Sequence, residues 1–415
     1  MLRNTIFYFK KLWQFDYPRS FKILVLATFI DRLGSFLLFP FFALYITQRF
    51  SVGMTEVGFL FTMFSAGSII GSTIGGALAD KYGRRSMLLF GLIASGTGSI
   101  ILGFIDNLFL FYVIAAFLGI LGDFGGPARQ AMVTDLLGKE KQAEGFGILR
   151  VAVNLSATIG PIIGGIIITQ SYLFLFFSDA ISSIITAIIV ILVIPETKPQ
   201  LEEGKTHDSF IKTIKGYGEV LKDWQYILFL TISALTVLVY MQMNSTLSVF
   251  LFNSYGFSEL SFGALLSMNA LIVVIFQFWI TRKMSKFAPM KVIAVGTMLY
   301  MIGFGMYGFV SDVYLFFIAM IIITIGEMIA MPLSQSIAGI FAPEDKRGRY
   351  MAVFGFHWAI PNLFGILLAG IIGDILGGEW IWYFAGMLSF IAAVGFWLLH
   401  RITRDRFEDI YTSSE

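Results

Sequence analysis

The residues of this chain best suited to chemistry are carboxylates and guanidiniums that stand inside long apolar stretches. Asp31 and Arg32 are adjacent in LVLATFIDRLGSFLLFP, Asp123 and Arg129 share a second stretch, Arg150 opens a third, Asp179 lies in YLFLFFSDAISS, and Glu327 lies in IIITIGEMIAMP. An ionisable group is expensive to keep charged in such surroundings, so it finds a partner or exchanges a proton. Taking up a proton removes the cost of the buried charge and can bias one conformation over another. Asp31, Asp123 and Glu327 are the expected proton carriers. The rival reading is that they pair, Asp31 or Asp123 with Arg150 for instance, and hold helices together. That reading is weaker for Glu327, because the basic residues of its half stand at span ends and in loops, none in a span's interior.

Neutral polar residues supply candidates for a substrate cavity. Arg150, Asn154 and Pro161 share one face at helical spacing, and Tyr240, Asn244 and Ser248 recur at i, i+4 and i+8. Arg32, Asn269 and Gln335 join them, as does Gln277 on the same helix as Asn269. His357 stands beside Trp358 and reads first as a packed aromatic neighbour, second as a cavity group. With no cysteine and three well-separated histidines (His207, His357, His400), thiol chemistry is excluded and no metal site or cofactor is expected. The phosphate-cradling pattern G-x-x-x-x-G-K-[ST] is absent, which argues against direct use of ATP. Enzyme chemistry is not expected.

The elements that hold these groups are long apolar helices. Hydrophobic residues make up 57% of the 415 and charged residues only 13%, with a mean hydropathy of +0.80; a soluble domain carries about 25% charged residues. Stretches of roughly 20 apolar residues, the length that crosses a bilayer, fall at 22–48, 55–79, 86–105, 108–137, 141–170 and 172–194. Six more fall at 224–252, 259–281, 290–310, 312–342, 347–374 and 379–400. The alternate loops beginning with the amino-terminal segment, together with the tail, hold 25 of the 29 basic residues. The other four are Arg32, Arg129 and Arg150 inside spans, and Arg49 on the opposite side. This bias places both termini in the cytoplasm of a multi-pass inner-membrane protein. Scattered over short loops, the basic residues form no stripe for nucleic acid.

The expected organisation is an amphipathic cytosolic segment (1–21), a six-helix bundle (22–194), a cytosolic loop (195–223), a second six-helix bundle (224–400) and a tail (401–415). The carboxyl part of the loop, HDSFIKTIKGYGEVLKDW, carries the pattern of a short interfacial helix. An offset of 205 residues lays PARQAMVTDLLGKEK (127–141) over PLSQSIAGIFAPEDK (332–346), matching Pro127 with Pro332, Gln130 with Gln335 and Lys141 with Lys346. Gly160 then falls on Gly365 and Gly165 on Gly370. Two halves of like orientation, related by a pseudo-twofold axis along the membrane normal, follow.

Two motifs stand out. GGALADKYGRRSML (75–88) follows the second span and carries Gly76, Leu78, Asp80, Lys81, Gly83, Arg84 and Arg85 in the pattern G-x-L-x-D-[RK]-x-G-R-[RK]. NLSATIGPIIGG (154–165) carries Gly160, Pro161, Gly164 and Gly165 as G-P-x-x-G-G, with Ser156 where the longer pattern has glycine. On these residues the chain resembles the major facilitator superfamily, and within it the drug–proton antiporters. The resemblance implies an all-α membrane protein with twelve transmembrane helices, a gate at Gly76, Asp80, Gly83, Arg84 and Arg85, and tight packing across the two halves at Gly160–Gly165. It also implies a secondary transporter working by alternating access, expelling amphipathic small molecules in exchange for protons. Export or import of a sugar, amino acid or lipid on the same machinery is the alternative. A monomer in the lipid bilayer is expected.

Overall fold

The computed structural model describes residues 17–197, 218–284, 286–343 and 346–404. The amino-terminal segment to residue 16, the loop at 198–217, the tail from 405, the paired positions 344–345 and the Asp80 side chain, all of which figure above, lie outside the described residues.

Secondary structure among the described residues is helical. α1 (Arg19–Phe50), α2 (Met54–Tyr82), α3 (Arg84–Gly103), α4 (Leu108–Gly122), α5 (Gly125–Leu136), α6 (Lys139–Ile167) and α7 (Tyr172–Val193) are followed by α8 (Trp224–Met241), α9 (Thr246–Tyr255), α10 (Glu259–Met284), α11 (Pro289–Met306) and α12 (Val313–Phe341). α13 (Arg347–Phe354), α14 (Phe356–Leu376) and α15 (Gly378–Ile402) complete the set. Counted by length and apolar character, they make twelve membrane-spanning helices among the described residues, with α4–α5 and α13–α14 each running as one span. Large apolar side chains such as Leu192 and Phe309 lie on the outside, 75% and 79% exposed. In water that would be an aggregation surface, whereas hydrocarbon is as apolar as the residues it meets.

Two compact units emerge, one of 17–197 with 244–275, the other of 218–243 with 276–404. In the first, α1 packs against α6 and α7, α2 against α4, and α3 against α7. In the second, α11 packs against α12 and α15, and α8 against α14 and α15. Each unit has its own apolar core, built around Phe21, Met132 and Val190 in the first and around Tyr226, Phe341 and Phe396 in the second.

Three expected continuous spans are interrupted, one of them, at 347–374, by the turn at Gly355 between α13 and α14. The span at 108–137 breaks at Asp123–Phe124. Pro127 has no N–H to give the carbonyl four residues back, so the Asp123 carbonyl accepts instead from Gly126 N at 3.3 Å. The span at 224–252 passes through a 3₁₀ turn at Gln242–Asn244. Tyr240, Asn244 and Ser248 therefore do not form one regular helical stripe, which corrects the spacing argument above. The Gln242 amide bridges the turn, donating to Leu238 O at 2.9 Å and to Gly365 O at 3.1 Å.

The glycine–proline motif in α6 packs closely against helices from both halves of the chain. A Cβ on Gly160 would run into Phe36, and one on Gly164 into Leu37 and Phe41, all in α1. Gly165 faces the start of α10 at Glu259 and Leu260, and a Cβ on Gly263 of α10 would run into the Pro161 carbonyl. At the matching position of the repeat, Gly365 of α14 lies against Leu238 of α8. Ser156 hydrogen-bonds across to the Phe29 carbonyl of α1 at 2.9 Å, a bond that glycine could not make.

Between α2 and α3 a single residue reverses the chain. Gly83 has φ +106° and ψ 147°, a conformation that only glycine adopts without strain. A Cβ there would also fall on the carboxylate of Glu196. That carboxylate accepts from Arg85 N at 3.1 Å and Ser86 N at 3.3 Å and so caps the amino end of α3. Gly83→Ala is expected to cost about 1–3 kcal/mol through backbone strain alone. In thermal unfolding of the detergent-purified protein it lowers the midpoint, whereas Gly138→Ala, at φ −60° with open space around it, leaves the midpoint unchanged.

Candidate functional site

In the first unit the helices enclose a cavity of about 490 Å³ whose walls are mostly apolar, with Phe36, Phe39, Phe42, Phe61 and Phe64 among them. Into this cavity the fold gathers five charged groups from three helical spans: Asp31 and Arg32 of α1, Asp123 and Arg129 at and beyond the α4–α5 break, and Asp179 of α7. Serines complete the polar part, Ser35 from α1, Ser68 from α2, and Ser95 and Ser99 from α3.

The charges are arranged unequally. Asp31, buried at 7% exposure, accepts from the Arg129 guanidinium at 2.7 Å, while Arg32 lies 4.0 Å from the same oxygen and is partly exposed. Asp123 takes a hydrogen bond from Ser68 at 2.7 Å. Asp179, at 5% exposure, takes one from Ser99. The lining thus holds three carboxylates and two guanidiniums, one negative charge in excess when all are ionised. Electrostatic attraction is strong in a pocket walled by hydrocarbon, so this excess favours a proton or another cation.

The second unit has a smaller polar centre. Glu327 of α12 accepts from the Tyr240 hydroxyl of α8 at 3.0 Å. The Tyr240 ring stacks on Tyr300 with centroids 6.3 Å apart and meets Trp358 edge-on at 6.1 Å. Tyr300 is fully buried and its hydroxyl has no hydrogen-bond partner among the described residues. Gln277 of α10 donates to the Met328 carbonyl at 2.9 Å, tying α10 to α12 one residue from Glu327.

The fold brings together Asp31, Arg32 and Asp123 in one unit and Tyr240 and Glu327 in the other. Several further candidates stand elsewhere. Arg150 is exposed, so the expected pairing of Asp31 or Asp123 with it does not form; Arg129 takes that place for Asp31. Gln335 is exposed, Asn154 is half-buried with its carbonyl accepting from Thr158, and Asn244 lies in the 3₁₀ turn. Asn269 is buried on α10. His357 is buried, hydrogen-bonded to the Phe354 carbonyl and packed on the Phe354 ring at 3.9 Å. In the α2–α3 motif, Arg84 pairs with Asp135 at the end of α5, and Arg85 reaches the Ile191 carbonyl of α7.

The structure adds Asp179, Ser68, Ser99 and Glu196, none of which the sequence marks as a proton carrier, cavity group or gate residue. Asp179 stands in an apolar run like the other carboxylates, and that is its available signal; serines in membrane helices are too common to mark a partner.

The profile of the Major Facilitator Superfamily matches residues 24–366 and 291–409. A Na(+), Li(+), K(+)/H(+) antiporter of Planococcus maritimus is 27% identical, over 93% of this chain and 97% of its own length. Multidrug resistance protein 2 of Bacillus subtilis (strain 168) is 23% identical, over 89% of this chain and 92% of its own. Among solved structures, a mutant form of the nucleoside transporter NupG superimposes with a TM-score of 0.79 at 12% identity, covering 92% of this chain and all of that one.

The Asp31–Arg129 contact makes a stability prediction. Removing one member of a buried ion pair leaves an uncompensated charge, at a cost of about 3–5 kcal/mol. Arg129→Met should therefore lower the thermal unfolding midpoint sharply, and adding Asp31→Asn to it should restore most of the loss. Equal destabilisation in the single and double variants would contradict this.

Proposed function

Because the chain belongs to the Major Facilitator Superfamily, and is thus a membrane transporter, we propose that it works by alternating access as a proton-coupled antiporter that expels cationic, amphipathic small molecules. The basic-residue bias of the loops supports a cytoplasmic location for both termini. The observation that carries the reading is the cavity of the first unit, in which three carboxylates face two guanidiniums among aromatic walls. A proton and an organic cation each satisfy the one excess negative charge, so they compete for it, and competition of this kind is what couples an exchange. The phenylalanines supply apolar contact that an inorganic ion would not use.

Glu327 adds a second place for positive charge. Its carboxylate and the faces of Tyr240 and Tyr300 suit an ammonium or aromatic cation, by charge pairing and by attraction to the ring faces. The pairing of Arg84 with Asp135 and the capping of α3 by Glu196 support the reading of the α2–α3 segment as a gate.

A second reading is exchange of an inorganic monovalent cation for protons. The antiporter of Planococcus maritimus favours it, and the serine hydroxyls beside Asp123 and Asp179 are suitable oxygen donors.

The test is transport by the purified protein in proteoliposomes under an imposed pH gradient, with ethidium as the organic cation and Na⁺, Li⁺ and K⁺ as the inorganic ones. The expected result is uphill ethidium movement with opposite proton flux, abolished by nigericin. In Glu327→Gln the rate should drop by about tenfold or more, the effect of losing one charge-assisted contact. Proton flux evoked by Na⁺ but not by ethidium would select the second reading, and no proton flux with any of these would refute both.

A further inference from the structure

Which of the three carboxylates in the first unit carries the proton is not decided by charge alone, but their partners differ in kind. Asp31 is committed to Arg129 at 2.7 Å, so protonating it would leave a buried guanidinium without its counter-charge. Asp123 stands at the α4–α5 break, where the backbone is interrupted and the side chain is less enclosed. Asp179 is the most enclosed of the three, in the middle of an unbroken helix. Among the described residues no basic side chain lies within 4.0 Å of it.

We infer that Asp179 is the group that binds and releases the coupling proton in this unit, with Ser99 as its positioning partner; the inference rests on the proton-coupled reading above. A hydroxyl serves both states of a carboxyl group through a single atom, donating to the carboxylate and accepting from the acid. Ser99 stands in that position on α3. With Asp179 protonated, the remaining lining charges are two carboxylates and two guanidiniums, and the cavity is neutral. With Asp179 ionised, the excess negative charge returns and can hold a cation. The step moves one proton on and off one carboxyl oxygen and needs no other reactant.

The position of Asp179 fits such a role. It lies seven residues into α7, about 10 Å from the outer end at the rise of an α-helix, on the side from which protons would enter. Its place is held by a close approach of α1 and α7: a Cβ on Gly34 would run into Ser182 and come within 3.1 Å of the Asp179 Cα. The charged groups that face it are Asp31 and Arg32 from α1, and Asp123 and Arg129 across the cavity. From α3 it meets only hydroxyls, because the charges of that helix are confined to Arg84 and Arg85 at its cytosolic start, and α6 carries no charge beyond Arg150.

The experiment compares wild type, Asp179→Asn and Ser99→Ala in proteoliposomes with ethidium as the probe. Two readouts are taken: exchange of labelled for unlabelled ethidium at equal pH, which needs a working transporter but no proton movement, and uphill transport with proton flux under a pH gradient. Asp179→Asn should lose uphill transport and proton flux by tenfold or more, and its ethidium exchange, weakened because the excess negative charge is gone, should no longer change when the common pH is varied. Ser99→Ala should shift the pH profile of uphill transport. Proton-coupled uphill transport retained in Asp179→Asn would overturn the assignment of Asp179 and leave the proposed function standing. Should Asp179→Asn fail to fold, an unshifted pH profile in Ser99→Ala overturns the assignment by itself. Wild-type protein that moves ethidium without protons would overturn the coupled reading and this inference together.

Discussion

A carboxylate surrounded by helices that face hydrocarbon has no water to turn to, and the ion pair of Asp31 with Arg129 is how this chain meets that constraint at the centre of its first unit. The pair joins α1 to α5 at 2.7 Å, and both partners are largely buried. It requires α1 to present Asp31 inward, which in turn requires close seats for α1 on α6 and α7. Gly160 and Gly164 of α6 provide one seat, and Gly34 against Ser182 provides the other. The pair also requires the span after α4 to bend so that Arg129 can reach inward, and Pro127 with its neighbouring glycines supplies the break at Asp123. Once Asp31 and Arg129 are committed to each other, the remaining charges of the cavity are left to do something other than hold the fold.

That division explains why a single unit holds both a structural charge pair and carboxylates bonded to serine. The guanidinium of Arg129 keeps its partner occupied, while the hydroxyls of Ser68 and Ser99 leave Asp123 and Asp179 able to take a proton or meet a cation. Glu327 in the second unit follows the same logic with a phenol, Tyr240, in place of a serine. Neutral donors hold a carboxyl group in place without fixing its charge. At the α2–α3 turn the task is different. Arg84 and Arg85 are paired with Asp135 and with a backbone carbonyl, and Glu196 closes the amino end of α3, so the turn is tied to α5 and α7 in the state described.

Much of the fold was legible because membrane helices announce themselves by length and apolarity, and the twelve spans and the family follow from that pattern and two short motifs. The interruptions were harder to read. Pro127 and the run Gly125–Gly126 were visible, but their effect depends on which carbonyl lacks a donor, and the 3₁₀ turn at Gln242–Asn244 depends on a bond from Gln242 to Gly365, 123 residues away. The charges inside spans were legible as candidates, since each is costly there. Their partners were not: Asp31 could have met Arg150 as readily as Arg129, because sequence spacing does not say which helices touch. Asp179 and Ser99, 80 residues apart, meet only through the packing of α7 on α3.

The central claim is that the cavity of the first unit carries one negative charge in excess, which a proton and a cationic substrate satisfy in turn. Titrating the purified wild-type protein with ethidium in weakly buffered detergent solution, while a pH indicator reports released protons, tests it directly. The account predicts release of about one proton for each ethidium bound near neutral pH, with the affinity for ethidium falling as the solution is acidified. Ethidium binding that releases no proton and is indifferent to pH would contradict it.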